Sequence, residues 1–194
     1  MDTTALILLA TLKKDEPSNT QDLCDFFVER AKQKDVSCET VKLVDQNILA
    51  GSYSSMGDGD AWPEILEKIL VASIVIFATP IWWGNQSSEM QRVIERLDEL
   101  HDEILQGKTS RLDGKVGGII ITGDSDGAQH IIANLANFFN AVGLTLPPFA
   151  SLSVLSEKLK KGAKTTREER MELFEKDYGK TADKMIDQLL KFTK

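Results

Sequence analysis

The stretch "SIVIFATPIWWGNQSSEMQRVIERL", residues 73–97, joins two unlike patterns. "SIVIFAT" is β-rich and apolar throughout, as in a strand buried on both faces. After the connection, Met90, Val93, Ile94 and Leu97 fall on one helical face. A doubly buried strand running into an amphipathic helix is half of a strand-helix-strand unit, so a parallel sheet with helices on both faces is expected. Between the two lie Pro80 and the adjacent Trp82 and Trp83. Two large aromatics side by side cannot both turn toward the same core.

The same alternation extends in both directions. An apolar run at 5–10 precedes a helical pattern at 19–34 with Leu23, Phe26, Phe27 and Ala31 on one side. "CETVKLVD" (38–45) alternates Val41 with Leu43 as a second strand, and the Gly and Ser of "AGSYSSMGDGD" (50–60) mark a long surface loop. A helix over 62–72 with an early Pro63 leads into the central strand. Downstream, "KVGGIIIT" predicts a fourth strand, 128–142 a helix, and 144–153 a fifth strand at an edge or irregular because of Pro147 and Pro148. From residue 165 onward, Met171, Phe174, Tyr178, Ala182, Met185, Leu189 and Phe192 recur every three or four residues, which predicts one long amphipathic helix to about residue 193. The basic stretch "SEKLKKGAKTTREER" before it reads most simply as a solvated connection, a lid or oligomer contact being the sharper alternative.

The 194 residues are read as one domain, 1–194, with 42% hydrophobic and 27% charged residues, ordinary values for a globular chain. A net charge of −7 disfavours nucleic acid, whose binding draws on clustered Lys and Arg. The run at 5–10 has no basic residue before it and polar residues soon after, so neither a signal peptide nor a membrane span is expected, and the expected compartment is the cytoplasm. Cys24 and Cys38 lack metal or redox-pair spacing and are read as reduced structural thiols.

In parallel α/β sheets ligands bind beyond the carboxyl ends of the strands. This points to three loops, "ATLKKDEPSNT", "TPIWWGNQ" and "TGDSDGAQ". The first ends in Ser18, Asn19 and Thr20 at a helix start, where free backbone N–H groups favour an anion, although plain capping explains the same residues. It has neither the Walker pattern nor the three spaced Gly of the dinucleotide fingerprint. In the second, Trp82 and Trp83 suit a planar ligand or, alternatively, packing under the loop or at a subunit contact. Gly84 permits close backbone approach, and Asn85 can pair along a ring edge. The third reads as turn chemistry, with Asp126 as the N-cap of the next helix, and Asp124 with Asp126 is a weak metal signal. His130 lies within reach of the loops, His101 reads as a surface residue, and no Ser stands in a nucleophile elbow.

Taken together, "SNT" at Ser18–Thr20, "VKLVD", "ATPIWWGNQSSEMQRVIERL" from Ala78 and "LDGKVGGIIITG" from Leu112 resemble the flavodoxin-like superfamily, in particular the NAD(P)H-dependent FMN reductases and multimeric flavodoxin-type quinone reductases. The resemblance runs from residue 4 to about 152. It implies a three-layer α/β sandwich around a five-stranded parallel sheet of order 2-1-3-4-5. It also implies noncovalent FMN, with the phosphate on Ser18, Asn19 and Thr20, assisted by Thr11 and Lys13. The isoalloxazine would lie against Pro80, Ile81, Trp82, Trp83, Gly84 and Asn85, with Thr122, Gly123, Asp124 and Ser125 on its other side.

The implied activity is NAD(P)H-dependent reduction of a quinone, flavin or similar small-molecule acceptor by hydride transfer through FMN, without a protein acid or base. A homo-oligomer, dimer or tetramer, is implied too. The competing readings are a one-electron carrier of flavodoxin type, and a fold that has lost FMN and serves as a binding module.

Overall fold

A computed structural model describes residues 3–193. Five strands, β1 (Thr3–Leu9), β2 (Val36–Lys42), β3 (Ile74–Pro80), β4 (Val116–Gly123) and β5 (Ser151–Leu155), form one parallel sheet in the order β2-β1-β3-β4-β5. The helices are α1 (Asn19–Lys32), α2 (Trp62–Val71), α3 (Ser88–Arg96), α4 (Asp98–Leu105), α5 (Ala128–Val142), α6 (Arg167–Leu173) and α7 (Gly179–Phe192).

Strand alternation divides the core in two. Leu6, Leu8, Val75, Phe77, Ile119 and Ile121 pack with α2, α3 and α5 on one face. Ile7, Leu9, Ile74, Ile76, Ile120 and Leu152 pack with α1 and α7 on the other. The continuous apolar runs of β1, β3 and β4 follow from this double burial, whereas the outermost strands β2 and β5 bury fewer positions.

The fifth strand starts later than the expected 144–153, because the prolines cannot donate to a ladder. Thr145 makes only an isolated bridge to Val116, and pairing resumes at Ser151. The tail runs without a break from α6 through a π-helical turn at Phe174–Tyr178 into α7. Its apolar stripe is core, with Phe174, Ala182, Met185 and Leu189 buried against the sheet. The loop over 46–61 is held from within, as Arg96 donates to the Tyr53 and Leu49 carbonyls and pairs with Asp60 at 2.7 Å, both side chains being 0% exposed. Both cysteines are free, and burial pushes both thiols up, Cys38 to about 11.

Candidate functional site

The three loops meet at the carboxyl ends of β1, β3 and β4. Thr11 follows β1, and its hydroxyl accepts from the Ser18 hydroxyl at 2.8 Å and from the Lys13 backbone N–H at 3.2 Å. Ser18 then caps α1 by accepting from the Gln21 backbone N–H. Among the described residues, the N–H groups of Asn19 and Thr20 have no partner, the usual condition of a helix first turn. Ser18 thus fulfils the capping reading, and the N–H groups of Asn19 and Thr20 stay open to a further acceptor. The Lys13 ammonium donates to the Pro17 carbonyl at 2.8 Å, closing the loop on itself.

Loop-to-loop contacts fix the ensemble. The buried hydroxyls of Thr20 and Thr122 lie 2.7 Å apart, joining α1 to the end of β4. Ile81 N–H donates to the Thr122 carbonyl at 2.9 Å as β3 ends at Pro80. The hydroxyl of Ser87, the N-cap of α3, donates to the Ala10 carbonyl at 2.6 Å, and the Ser87 backbone N–H donates to Thr79 Oγ1 at 3.0 Å. That last network ties the first loop to the second, and its residues lack any signal in sequence beyond capping.

The aromatic pair sits on a tight reversal. Trp82 and Asn85 exchange backbone hydrogen bonds at 2.8 and 2.9 Å across Trp83 and Gly84, whose φ values are +50° and +77°. Two positive φ values are the type I′ pattern, for which Asn-Gly is preferred. Trp83 is therefore a costly choice for this turn, and its side chain is 96% exposed; Trp82 is 42% exposed. Neither packs in the core. Asn85 Oδ1 lies 3.2 Å from His130 Nε2, and Gln86 accepts from Asn134, so α5 braces the turn.

In the third loop, Gly123 ends β4, and Asp124 and Ser125 are exposed. Asp126 does not cap α5. Gly127 takes that position at φ +131° because the second loop passes too close for a side chain: a Cβ there would stand 2.8 Å from Gly84 Cα.

The basic stretch after β5 is not merely a solvated connection. It follows the carboxyl end of a strand, as the other loops do, and the Leu159 carbonyl accepts from the Asn19 side-chain amide at 2.8 Å. Lys161 Nζ stands 6.0 Å above the Trp82 ring, and Arg170 is buried. The strand-end rule that selected three loops selects this fourth one too, and only its high charge disguised it. Asn19 thus offers an incoming group its backbone N–H rather than its amide. Among the described residues, no cluster of three His, Cys, Asp or Glu side chains could hold a metal, and no helix is long and apolar enough to cross a membrane.

This arrangement, with an open helix N-terminus, an exposed aromatic turn and close glycine packing at the ends of β1, β3 and β4, coincides with a match to the NADPH-dependent FMN reductase family over residues 3–157. The chain belongs to that family.

Among curated proteins, the chain is 33% identical over 159 residues to the 8-demethyl-8-aminoriboflavin-5'-phosphate synthase of Streptomyces davaonensis, covering 76% of this chain and 61% of that protein. It is 33% identical over 158 residues to the divalent metal cation transporter MntH of Mycobacterium bovis, covering 79% of this chain and 23% of that protein. It thus spans less than two thirds of either relative's length. Among solved structures, RosB with bound 8-demethyl-8-formylriboflavin-5'-phosphate superposes with a TM-score of 0.76 at 25% identity, covering 98% of this chain and 79% of that one.

Proposed function

We propose that this FMN reductase family member holds FMN noncovalently at the four converging loops and uses NAD(P)H to reduce a quinone, free flavin or similar small acceptor. The observation that carries the reading is the type I′ turn at Trp83-Gly84. It spends backbone energy to present an exposed Trp on the loop whose Ile81 N–H binds Thr122 at the end of β4, the residue whose hydroxyl meets Thr20 of α1.

The donor chemistry fits the cofactor. The free N–H groups of Asn19 and Thr20 and the positive end of α1 suit a phosphate, with the Thr11 and Ser18 hydroxyls behind them. Pro80, Ile81 and Trp82 wall one side of the space for the ring, and Gly123 to Ser125 the other. Trp83 projects outward, where an acceptor or a second copy of this chain covers it in a homo-oligomer. When bound, FMN supplies hydride acceptance from the reduced nicotinamide and onward delivery to the acceptor. The chain's own part is to bind, orient and shield.

The test is the visible spectrum of the purified protein after loading with FMN and gel filtration, followed by NADPH and NADH oxidation with and without a quinone. Oxidised-flavin bands that travel with the protein and acceptor-dependent turnover are expected. Protein that stays colourless after loading rejects the reading, and bound flavin without NAD(P)H turnover favours an electron carrier instead.

A further inference from the structure

The family match ends at residue 157, yet the N-terminal turn of α1 is completed by side chains from beyond it. Asp22 lies in that turn, its N–H donating to the Ser18 carbonyl at 3.0 Å, and the residue is only 4% exposed. Arg170 of α6, 7% exposed, reaches Asp22 Oδ2 with Nε at 2.7 Å and Nη2 at 2.6 Å. Arg167 pairs with the other Asp22 oxygen, and its Nη2 donates to Asp25 Oδ2 at 2.8 Å. Two carboxylates near the start of α1 are thereby matched by two guanidiniums from α6.

Magnitudes give this matching a role. A helix N-terminus presents roughly half a positive charge, whereas a flavin phosphate carries about −1.5 to −2 at neutral pH. A full negative charge on a buried Asp22, one turn from the same N-terminus, would outweigh that half charge. The first loop cannot compensate, since Lys13 and Lys14 are followed by Asp15 and Glu16.

Resting on the flavin reading above, we propose that Arg167 and Arg170 are positioning residues for the cofactor phosphate. By neutralising Asp22 they keep the end of α1 attractive to a dianion, and α6 becomes part of the phosphate site.

Riboflavin, the same ring without the phosphate, separates this role from a structural one. Dissociation constants for FMN and riboflavin are measured by flavin fluorescence for the full chain and for Arg170→Gln, Asp22→Asn and the double variant. Arg170→Gln is expected to weaken FMN by roughly tenfold while riboflavin moves by less than about twofold. Asp22→Asn shifts the FMN-to-riboflavin preference the opposite way, and the double variant returns toward the parent. Equal weakening of both flavins, or a shift of the same sign in both single variants, overturns the proposal alone. A parent chain that binds neither flavin overturns it together with the flavin reading. Should Arg170→Gln fail to fold, Arg167→Gln, on the more exposed partner, makes the same prediction with a smaller factor.

Discussion

Gly127 and Gly84 pack backbone against backbone, so closely that a Cβ on Gly127 would stand 2.8 Å from Gly84 Cα and 3.0 Å from Ile81 Cγ2. Gly127→Ala must push the second and third loops apart and also place an alanine at φ +131°. The expected cost is about 1–3 kcal/mol, together with weakened flavin binding. Thermal unfolding and flavin titration of the variant check both parts.

Trp83→Asn should act in opposite directions on stability and function. It installs the Asn-Gly pair that a type I′ turn prefers, so the unfolding free energy should rise, by up to about 1 kcal/mol. If Trp83 covers flavin or acceptor, NADPH oxidation falls in the same variant. A variant equally active and more stable would remove Trp83 from the site. Trp82→Ala, by comparison, should weaken FMN binding or turnover while leaving the fold intact.

The Thr20 and Thr122 hydroxyls satisfy each other in a buried position. Thr122→Val strands the Thr20 hydroxyl and is expected to cost about 1–3 kcal/mol, whereas changing both to Val recovers much of the loss. A denaturant double-mutant cycle measures the coupling.

Asp60 predicts an acid limit. Burial alone would raise its carboxyl, but the Arg96 guanidinium and the N–H groups of Met56, Trp62 and Leu49 outweigh burial and hold it at about 2. A carboxyl depressed in the folded state stabilises above its unfolded pKa and loses that contribution as pH falls through the folded one. Stability should therefore drop between about pH 4 and pH 2, and Asp60→Asn should flatten that part of a melting-temperature profile. At neutral pH, Arg96→Leu leaves the buried Asp60 unpaired and should cost about 3–5 kcal/mol.

Much of this architecture was legible in the sequence because β1, β3 and β4 are buried on both faces and so read as unbroken apolar runs. Strand ends located three of the four loops, and the Trp82-Trp83 pair stood out because no core could take both. Other parts depended on long-range contacts that leave no local pattern. Asp126 has the right chemistry for a cap, but the approach of Gly84 reserves the position for Gly127. The π turn at Phe174–Tyr178 keeps the buried side chains near helical spacing, so periodicity alone does not reveal it. Arg167 and Arg170 look like surface charge until the fold brings Asp22 beneath them.

The contacts at the start of α1 also set an order of events during synthesis. Its partners lie 102 residues onward for Thr20, 140 for Asn19 and 148 for Asp22. Domains fold as units while the chain emerges from its N-terminus, at about 5–20 residues per second. A nascent chain that has reached the end of β4 can already form the Thr20–Thr122 pair, yet Asp22 still waits for its guanidiniums. The start of α1, made early, is therefore among the last parts to be completed, and a chain stalled short of α6 leaves a near-complete sheet with Asp22 unmatched.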